Sequence, residues 1–358
     1  MKRQHEYEIV PYNTDYEFDA ANLLANFWKI DPHKSRAYLR WKYIDNPYAI
    51  EPPMAFVAFR KGRMVGFRGY FASKWHFLKK HFEVFILSPG DTFVSPEHRQ
   101  RGLSLKIART ATTSFRGKYH FLLNLSATKP SVPGYLRLGF APIAPKIYWN
   151  RCGAQGLLRM AANTLHKSQA EKTISFGTFG EIVVSDTPWA DSMAKLAATS
   201  NFEEDRLSLS KNKAFFKWRF ANTKNKYVFY YKEKYDAVSA YIVLRLTSGG
   251  RRAYLIDFEA LTEKDLSDLL AVVVDQWRAD ILSVYDYSIV GQWRRLFAQF
   301  GFQEGGLLAM IEKKTRGNYP LLVKPVAENP TETDWKVADR DIRNIGNWSI
   351  KEICSDGV

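Results

Sequence analysis

The sequence predicts an α+β protein: two tandem copies of one unit, each a mixed, mostly antiparallel sheet flanked by helices, followed by a C-terminal tail. Three observations predict this. A six-residue block occurs twice, as Tyr38-Leu39-Arg40-Trp41-Lys42-Tyr43 and as Phe215-Phe216-Lys217-Trp218-Arg219-Phe220. Each position matches in kind: aromatic, bulky apolar, basic, Trp, basic, aromatic. The same order of strand-like and helix-like patterns follows both blocks, which is the signature of a duplication. Finally, 358 residues with 46% hydrophobic and 15% aromatic side chains are too apolar for a disordered chain and suit about two domains.

After the first block, the apolar run Met54–Phe59, the basic turn Arg60-Lys61-Gly62-Arg63 and the run Met64–Tyr70 predict a hairpin turned at Gly62. After the second, Tyr227–Tyr231, Lys232-Glu233-Lys234 and Ala237–Leu244 predict another. Strand-like runs ending in Asp91-Thr92-Phe93-Val94 and Asp257-Phe258-Glu259-Ala260 come next, then helical patterns at 103–115 and 264–278. Short strands follow at Phe121–Leu125 and Ile281–Tyr285. Each copy then has a short helix ending in Gly-Phe, at Gly139-Phe140 and Gly301-Phe302, where Gly fits a helix C-terminal cap. The expected division is 1–150, a linker at 151–180, a second unit at 181–315 and a tail at 316–358 carrying Pro320, Pro325 and Pro330.

The formal net charge is +15, from 52 Lys+Arg against 37 Asp+Glu. Residues 1–178 hold 27 basic and 12 acidic side chains, and the rest holds 25 of each, so the whole excess lies in the first half. That half is expected to meet an anionic partner. Met1–Glu6 leads into polar residues rather than an apolar core, which predicts no secretory signal. No apolar run approaches the roughly 20 residues that span a bilayer. Cys152 and Cys354 support neither a disulfide framework nor a zinc cluster, and the seven histidines show no metal-ligand spacing. A cytoplasmic protein is expected, with no metal.

The motif with the most chemical content is Phe93-Val94-Ser95-Pro96-Glu97-His98-Arg99-Gln100-Arg101-Gly102-Leu103-Ser104-Leu105. It runs from a strand through a basic loop into a helix. Amides at a helix N-terminus lack partners, and the dipole there favours negative charge. Gly102 permits unusual backbone angles or close approach, and Arg99 and Arg101 add positive charge. On physics alone this is an anion site suited to a diphosphate.

This segment resembles the coenzyme A pyrophosphate loop of the Gcn5-related N-acetyltransferase (GNAT) superfamily, whose pattern is Gln/Arg-x-x-Gly-x-Gly/Ala after Val-x-Pro. Ser104 departs from the usual Gly/Ala. Asn124 in the following strand and Tyr135 ahead of Leu138-Gly139-Phe140 extend the likeness over about residues 7–150. The internal repeat carries it to about 179–315. The second copy has Leu261-Thr262-Glu263-Lys264-Asp265 where the loop should be, so one cofactor site is expected, in the first half.

The resemblance implies these roles. Acetyl-CoA, or another acyl-CoA, is the cofactor. Its pyrophosphate would meet the loop of Arg99, Gln100, Arg101, Gly102, Leu103 and Ser104, held by the amides of Arg101–Ser104. Phe93, Val94 and Ser95 would pair with the pantetheine arm, and Asn124 would contact it. Tyr135 would protonate the departing thiolate, and the acceptor amine would attack the thioester directly. Asp91 is the leading candidate for general base, followed by Glu83 and an ordered water. Because the second copy keeps Asp257 without the loop, a structural role for Asp91 stands beside the catalytic one. Trp41 and Trp218 recur in both copies, which favours packing over substrate stacking. His98 is expected as an exposed loop residue.

The favoured function is acyl-CoA-dependent N-acyl transfer to an amine, with an amino sugar of a surface-polysaccharide precursor as the acceptor suggested by analogy. Transferases of the Fem type, which use aminoacyl-tRNA, are the alternative enzyme; the net charge would suit tRNA, but a preserved CoA loop argues against them, and nucleic acid is not expected as a partner. A non-catalytic GNAT-like binding protein is the third reading, and it would not bind acetyl-CoA.

Overall fold

The structure is a computed structural model describing residues 7–51, 54–77, 82–153, 174–199, 206–222, 224–247, 252–278, 280–289, 291–305 and 319–355. The first half runs β1 (Glu8–Pro11), α1 (Glu17–Trp28), α2 (Pro32–Tyr43), β2 (Ala55–Arg60), β3 (Arg63–Phe77), β4 (Phe82–Val94), α3 (Leu103–Ser114), β5 (Phe121–Asn124), α4 (Val132–Arg137), β6 (Ala141–Pro145) and β7 (Tyr148–Cys152). Local chemistry sets these boundaries. Lys29 ends α1 in the left-handed region at φ 55°, and Asp31 caps α2 by accepting the His33 N–H at 2.8 Å, with Pro32 in the first helical position. The β2–β3 turn places both Lys61 and Gly62 at positive φ, which matches the twist of a two-residue hairpin.

The second half runs β8 (Gly177–Phe179), β9 (Ile182–Ser185), α5 (Ala190–Thr199), β10 (Leu207–Leu209), α6 (Lys213–Arg219), β11 (Lys226–Lys234), β12 (Ala237–Leu246), β13 (Arg252–Ala260), α7 (Glu263–Gln276), β14 (Ile281–Tyr285), α8 (Gln292–Gln299) and β15 (Gln303–Glu304). Then come β16 (Pro320–Pro325), β17 (Lys336–Val337), β18 (Arg340–Asp341) and β19 (Trp348–Ser349). Most of the expected linker, 154–173, lies outside the described residues.

Two large mixed sheets result. The first is ordered β1-β2-β3-β4-β5-β16-β6, with β10 on the far end of β3 and β19 on β10. The second is ordered β15-β7-β14-β13-β12-β11-β9-β8. The halves exchange strands. β7 leaves the first half and lies between β14 and β15, while β16 returns from the C-terminal segment to lie between β5 and β6. Residues 320–325, expected in an extended tail, are therefore an internal strand, with a proline at each end where a missing N–H is tolerated.

The repeated block forms the centre of the interface between the halves. Trp41 on α2 and Trp218 on α6 stack with ring centroids 5.2 Å apart and planes 13° apart. Trp41 Nε1 donates to the Trp218 carbonyl, and Trp218 Nε1 donates to the Trp41 carbonyl, each at 2.7 Å. Two copies of one residue meeting reciprocally is the contact an approximate two-fold axis produces. Tyr48 stacks on Phe215 beside them at 5.7 Å. One apolar core runs from the first sheet through these rings to β11–β13, and a second lies between the other sheet and α7 and α8. Repetition of both tryptophans is thus explained by packing.

Candidate functional site

The site begins where two strands part. β4 pairs with β5 only at Ile86–Phe121 and Leu87–Leu122. Beyond Leu87 the strands separate, and the β5-facing edge of Ser88–Val94 has no ladder partner among the described residues. A backbone edge of this kind can pair with an extended ligand.

A β-bulge deforms β4 at the same place. Phe67 pairs with Phe93 and Gly69 with Gly90, so Asp91 and Thr92 oppose the single residue Arg68. Asp91 takes φ 41°, a left-handed conformation that Asp tolerates better than most side chains. Its carboxylate accepts from Lys42 Nζ at 2.8 Å and from the Tyr43 hydroxyl. Tyr43 reaches it by lying on Gly69, where a Cβ would fall 2.0 Å from the ring, so no larger residue fits there. Burial pushes the Asp91 pKa up, but Lys42 and Tyr43 outweigh burial and hold it below the usual carboxylate range.

After β4 the chain turns through Pro96–His98. His98 was expected to be exposed and is buried instead. Its Nδ1 lies 3.1 Å from the Tyr7 hydroxyl and its ring packs edge-on against Tyr7, which ties the loop to the segment before β1. Arg99 folds back, donating from Nε to the Val94 carbonyl at 3.0 Å. Gln100 and Gly102 adopt φ 61° and 71°. Gly102 is the N-cap of α3; no side chain caps the helix, and its first turn holds no acidic residue. A Cβ on Gly102 would meet nothing within 4 Å, so the space above the helix start is open. Leu103, Ile107 and Ala111 are buried, anchoring α3 on the sheet. The leading amides of α3 thus face outward at a basic, acid-free helix start.

The corresponding helix start in the second half is closed. Thr262 caps α7 by accepting the Asp265 N–H at 3.1 Å, and its hydroxyl donates to Asp265 at 2.6 Å. Lys234 approaches Asp265 at 2.6 Å, Lys232 at 3.3 Å, and Lys232 also binds Asp268. The protein's own carboxylates fill the place an anion would take. The bulge region has a counterpart too: Asp257 is fully buried and accepts from Lys211 at 2.9 Å and from Tyr241 at 2.8 Å.

Tyr135 is buried on α4, with its ring edge-on to Phe140. Arg68, itself buried, donates from Nη2 to the Tyr135 hydroxyl oxygen at 3.2 Å. The bulge that displaces Asp91 therefore also carries the residue that orients Tyr135. Asn124 is buried; its Oδ1 accepts the Ser126 N–H at 2.9 Å, and its backbone pairs with Leu322 of β16. Glu83 stands eight residues from Asp91 on the same strand, about 26 Å away at ~3.3 Å per residue, and is ion-paired with Lys74 at 2.7 Å. It belongs to the opposite end of β4. Arg68, Lys42 and Tyr43 were missed in the sequence. Arg68 had a readable signal, as a lone charge inside the apolar run Met64–Tyr70.

The overall fold matches solved structures. The chain has the GNAT fold. It superposes on a GCN5-related N-acetyltransferase from Anabaena variabilis with a TM-score of 0.59 at 11% identity, covering 90% of this chain and 73% of that one. A conserved protein of unknown function from Enterococcus faecalis, described as a probable N-acyltransferase, gives 0.60 at 9% identity over 92% and 74%. A GCN5-related N-acetyltransferase from Kribbella flavida gives 0.54 at 14% over 78% and 64%. No family model matches the sequence, and no curated protein matches it. Within this GNAT architecture the open helix start and the parted strands lie in the first half, and the closed helix start lies in the second. Among the described residues, no helix is long and apolar enough to cross a membrane, and no group of His, Cys, Asp and Glu is arranged to hold a metal.

Proposed function

We propose that this protein is an acyl-CoA-dependent N-acyltransferase with one cofactor site, in its first half. The observation that carries this reading is the contrast between the helix starts: α3 is uncapped beside the parted strands, whereas α7 is filled by Thr262 and Asp265. The residues fit a CoA diphosphate. Amides from Arg101 to Ser104 would hold it, and the free edge of Phe93–Ser95 would pair with the pantetheine arm, with Asn124 beside it. Residues 1–150 and 181–315 are then the working and silent units, joined through 151–180 and completed by 316–358.

The bound acyl-CoA, acetyl-CoA in the simplest case, supplies the thioester. The protein's part is positioning and proton management. Arg68 donates to the Tyr135 oxygen and fixes the phenol, whose proton stays available for the sulfur that leaves when the amine nitrogen bonds to the carbonyl carbon. Asp91, standing as a carboxylate between Lys42 and Tyr43, is a weak base; in this reading it shapes the bulge and fixes local charge, while the acceptor ammonium gives one proton to water to become the nucleophile and a second on forming the amide, and water returns one to the Tyr135 phenolate. The acceptor is an amine, with amino sugars of glycan precursors first on the panel to try.

Thiol release from acetyl-CoA, followed with a thiol-reactive chromophore across an amine panel, tests the proposal. Amine-dependent release is expected, and Tyr135→Phe should lower kcat by about 10²–10⁴-fold with acetyl-CoA affinity unchanged. No amine-dependent release from a protein that binds acetyl-CoA would refute acyl transfer to these amines, and no binding of acetyl-CoA at all would leave the non-catalytic reading in its place.

A further inference from the structure

A lysine from the second half ends in an aromatic corner beside the bulge of the first. Lys224 lies between α6 and β11, and its backbone N–H donates to Asn222 Oδ1 at 3.0 Å. The residue as a whole is exposed, but its Nζ sits 3.2 Å from the Tyr38 ring centroid and 3.6 Å from that of Trp28. Those two rings meet at 87° with centroids 5.3 Å apart, so their faces make two walls around the ammonium. The Tyr38 hydroxyl accepts from Lys42 Nζ at 2.9 Å, and Lys42 in turn binds Asp91. The corner is therefore joined by one lysine to the bulge where β4 parts from β5. Next to it lies a cavity of about 460 Å³, lined by Tyr38, Trp41, Asp45, Lys217, Trp218 and Asn222.

Two perpendicular aromatic faces at this distance recognise a cation. An N-acyltransferase must bring an amine, protonated in water, to the parted strands. The two requirements meet here. We propose that Trp28 and Tyr38 form the ammonium subsite of the acceptor, and that Lys224 occupies that subsite until an acceptor displaces it. The role as acceptor subsite rests on the acyltransferase reading; the recognition of a cation does not. Displacement is cheap for this lysine. No carboxylate pairs with it among the described residues. The occupant that would replace it is a primary alkylammonium, such as the amine end of an aminated small molecule.

The test removes the resident and supplies a probe of the same length. Lys224→Ala leaves room for n-propylammonium, which replaces the missing methylenes and ammonium. Binding of n-propylammonium by ligand-observed NMR should be at least tenfold tighter for Lys224→Ala than for the unmodified protein. Adding Trp28→Leu, which keeps bulk but removes the aromatic face, should cancel the gain. With acetyl-CoA, Lys224→Ala should also convert n-propylamine to its acetamide faster than the unmodified protein does. Equal binding with and without Lys224, or binding that survives Trp28→Leu, overturns the subsite. Tight binding with no amide formed, in a protein that binds acetyl-CoA, overturns its role as the acceptor's. Failure of every variant to bind acetyl-CoA instead refutes the acyltransferase reading, and the NMR comparison still decides whether the corner holds an ammonium.

Discussion

The reciprocal tryptophan pair is not quite symmetric, and the asymmetry can be measured. Both indoles are buried, and each donates to the other's carbonyl at 2.7 Å. The Trp218 carbonyl has a second donor, the Ala221 N–H at 3.1 Å. The Trp41 carbonyl has only the indole of Trp218 among the described residues, because the Ile44 and Asp45 amides both go to Arg40. Trp41→Phe therefore removes one hydrogen bond but leaves no orphaned carbonyl, a loss of about 0.5–1.5 kcal/mol beyond the size change. Trp218→Phe strands the Trp41 carbonyl in a buried place, which costs about 1–3 kcal/mol beyond the same size change. The expected order is that Trp218→Phe destabilises more, by roughly 1 kcal/mol. Urea denaturation followed by far-UV circular dichroism reads it. Equal losses, or a larger loss for Trp41→Phe, would refute the hydrogen-bond reasoning, and no loss in either would remove the pair as the centre of the interface.

Three further outcomes are expected. Glu259 is partly buried, and although burial raises its pKa, Lys211 and Lys351 bring it down to about 2. Its stabilisation, on the order of 3 kcal/mol, is present above pH ~4.5 and lost as pH falls toward 2, so Glu259→Gln should be less stable at neutral pH and show a flatter acid limb across that window in pH-dependent melting. Because β7 and β16 each complete the other half's sheet, residues 1–150 produced alone should fail to give a cooperative melt, while addition of a peptide spanning 319–327 should restore order detectable by amide exchange. Arg68→Met should lower kcat through the disordered phenol of Tyr135 while leaving the acetyl-CoA dissociation constant within about threefold, which steady-state kinetics and calorimetry separate.

The order of elements was legible in the sequence because hydrophobic period and turn chemistry are local. The hairpin at Lys61-Gly62, the helix after Gly102 and the Gly-Phe closures each follow from a few adjacent residues. The exchange of β7 and β16 was not legible, since a strand's own pattern carries no information about which sheet it joins. Of the site, the loop could be read because its glycine and arginines are contiguous. Arg68 acts through a bulge, whose position depends on how β3 registers against β4, and Lys224 reaches Trp28 and Tyr38 across the interface. His98 was misjudged for the same reason: its partner, Tyr7, is 91 residues away. Contacts made between distant segments are set by topology.

Calorimetric titration of acetyl-CoA into the intact chain and into Gly102→Glu tests whether the loop ahead of α3 is the single cofactor site. A Glu at φ 71° strains the backbone by about 1–2 kcal/mol but its Cβ meets nothing within 4 Å, so the fold should persist while its carboxylate stands where the diphosphate should lie. One acetyl-CoA should bind per chain, with binding abolished in a variant that keeps its circular dichroism spectrum. No heat with the intact chain, two sites per chain, or undiminished affinity in Gly102→Glu would contradict it.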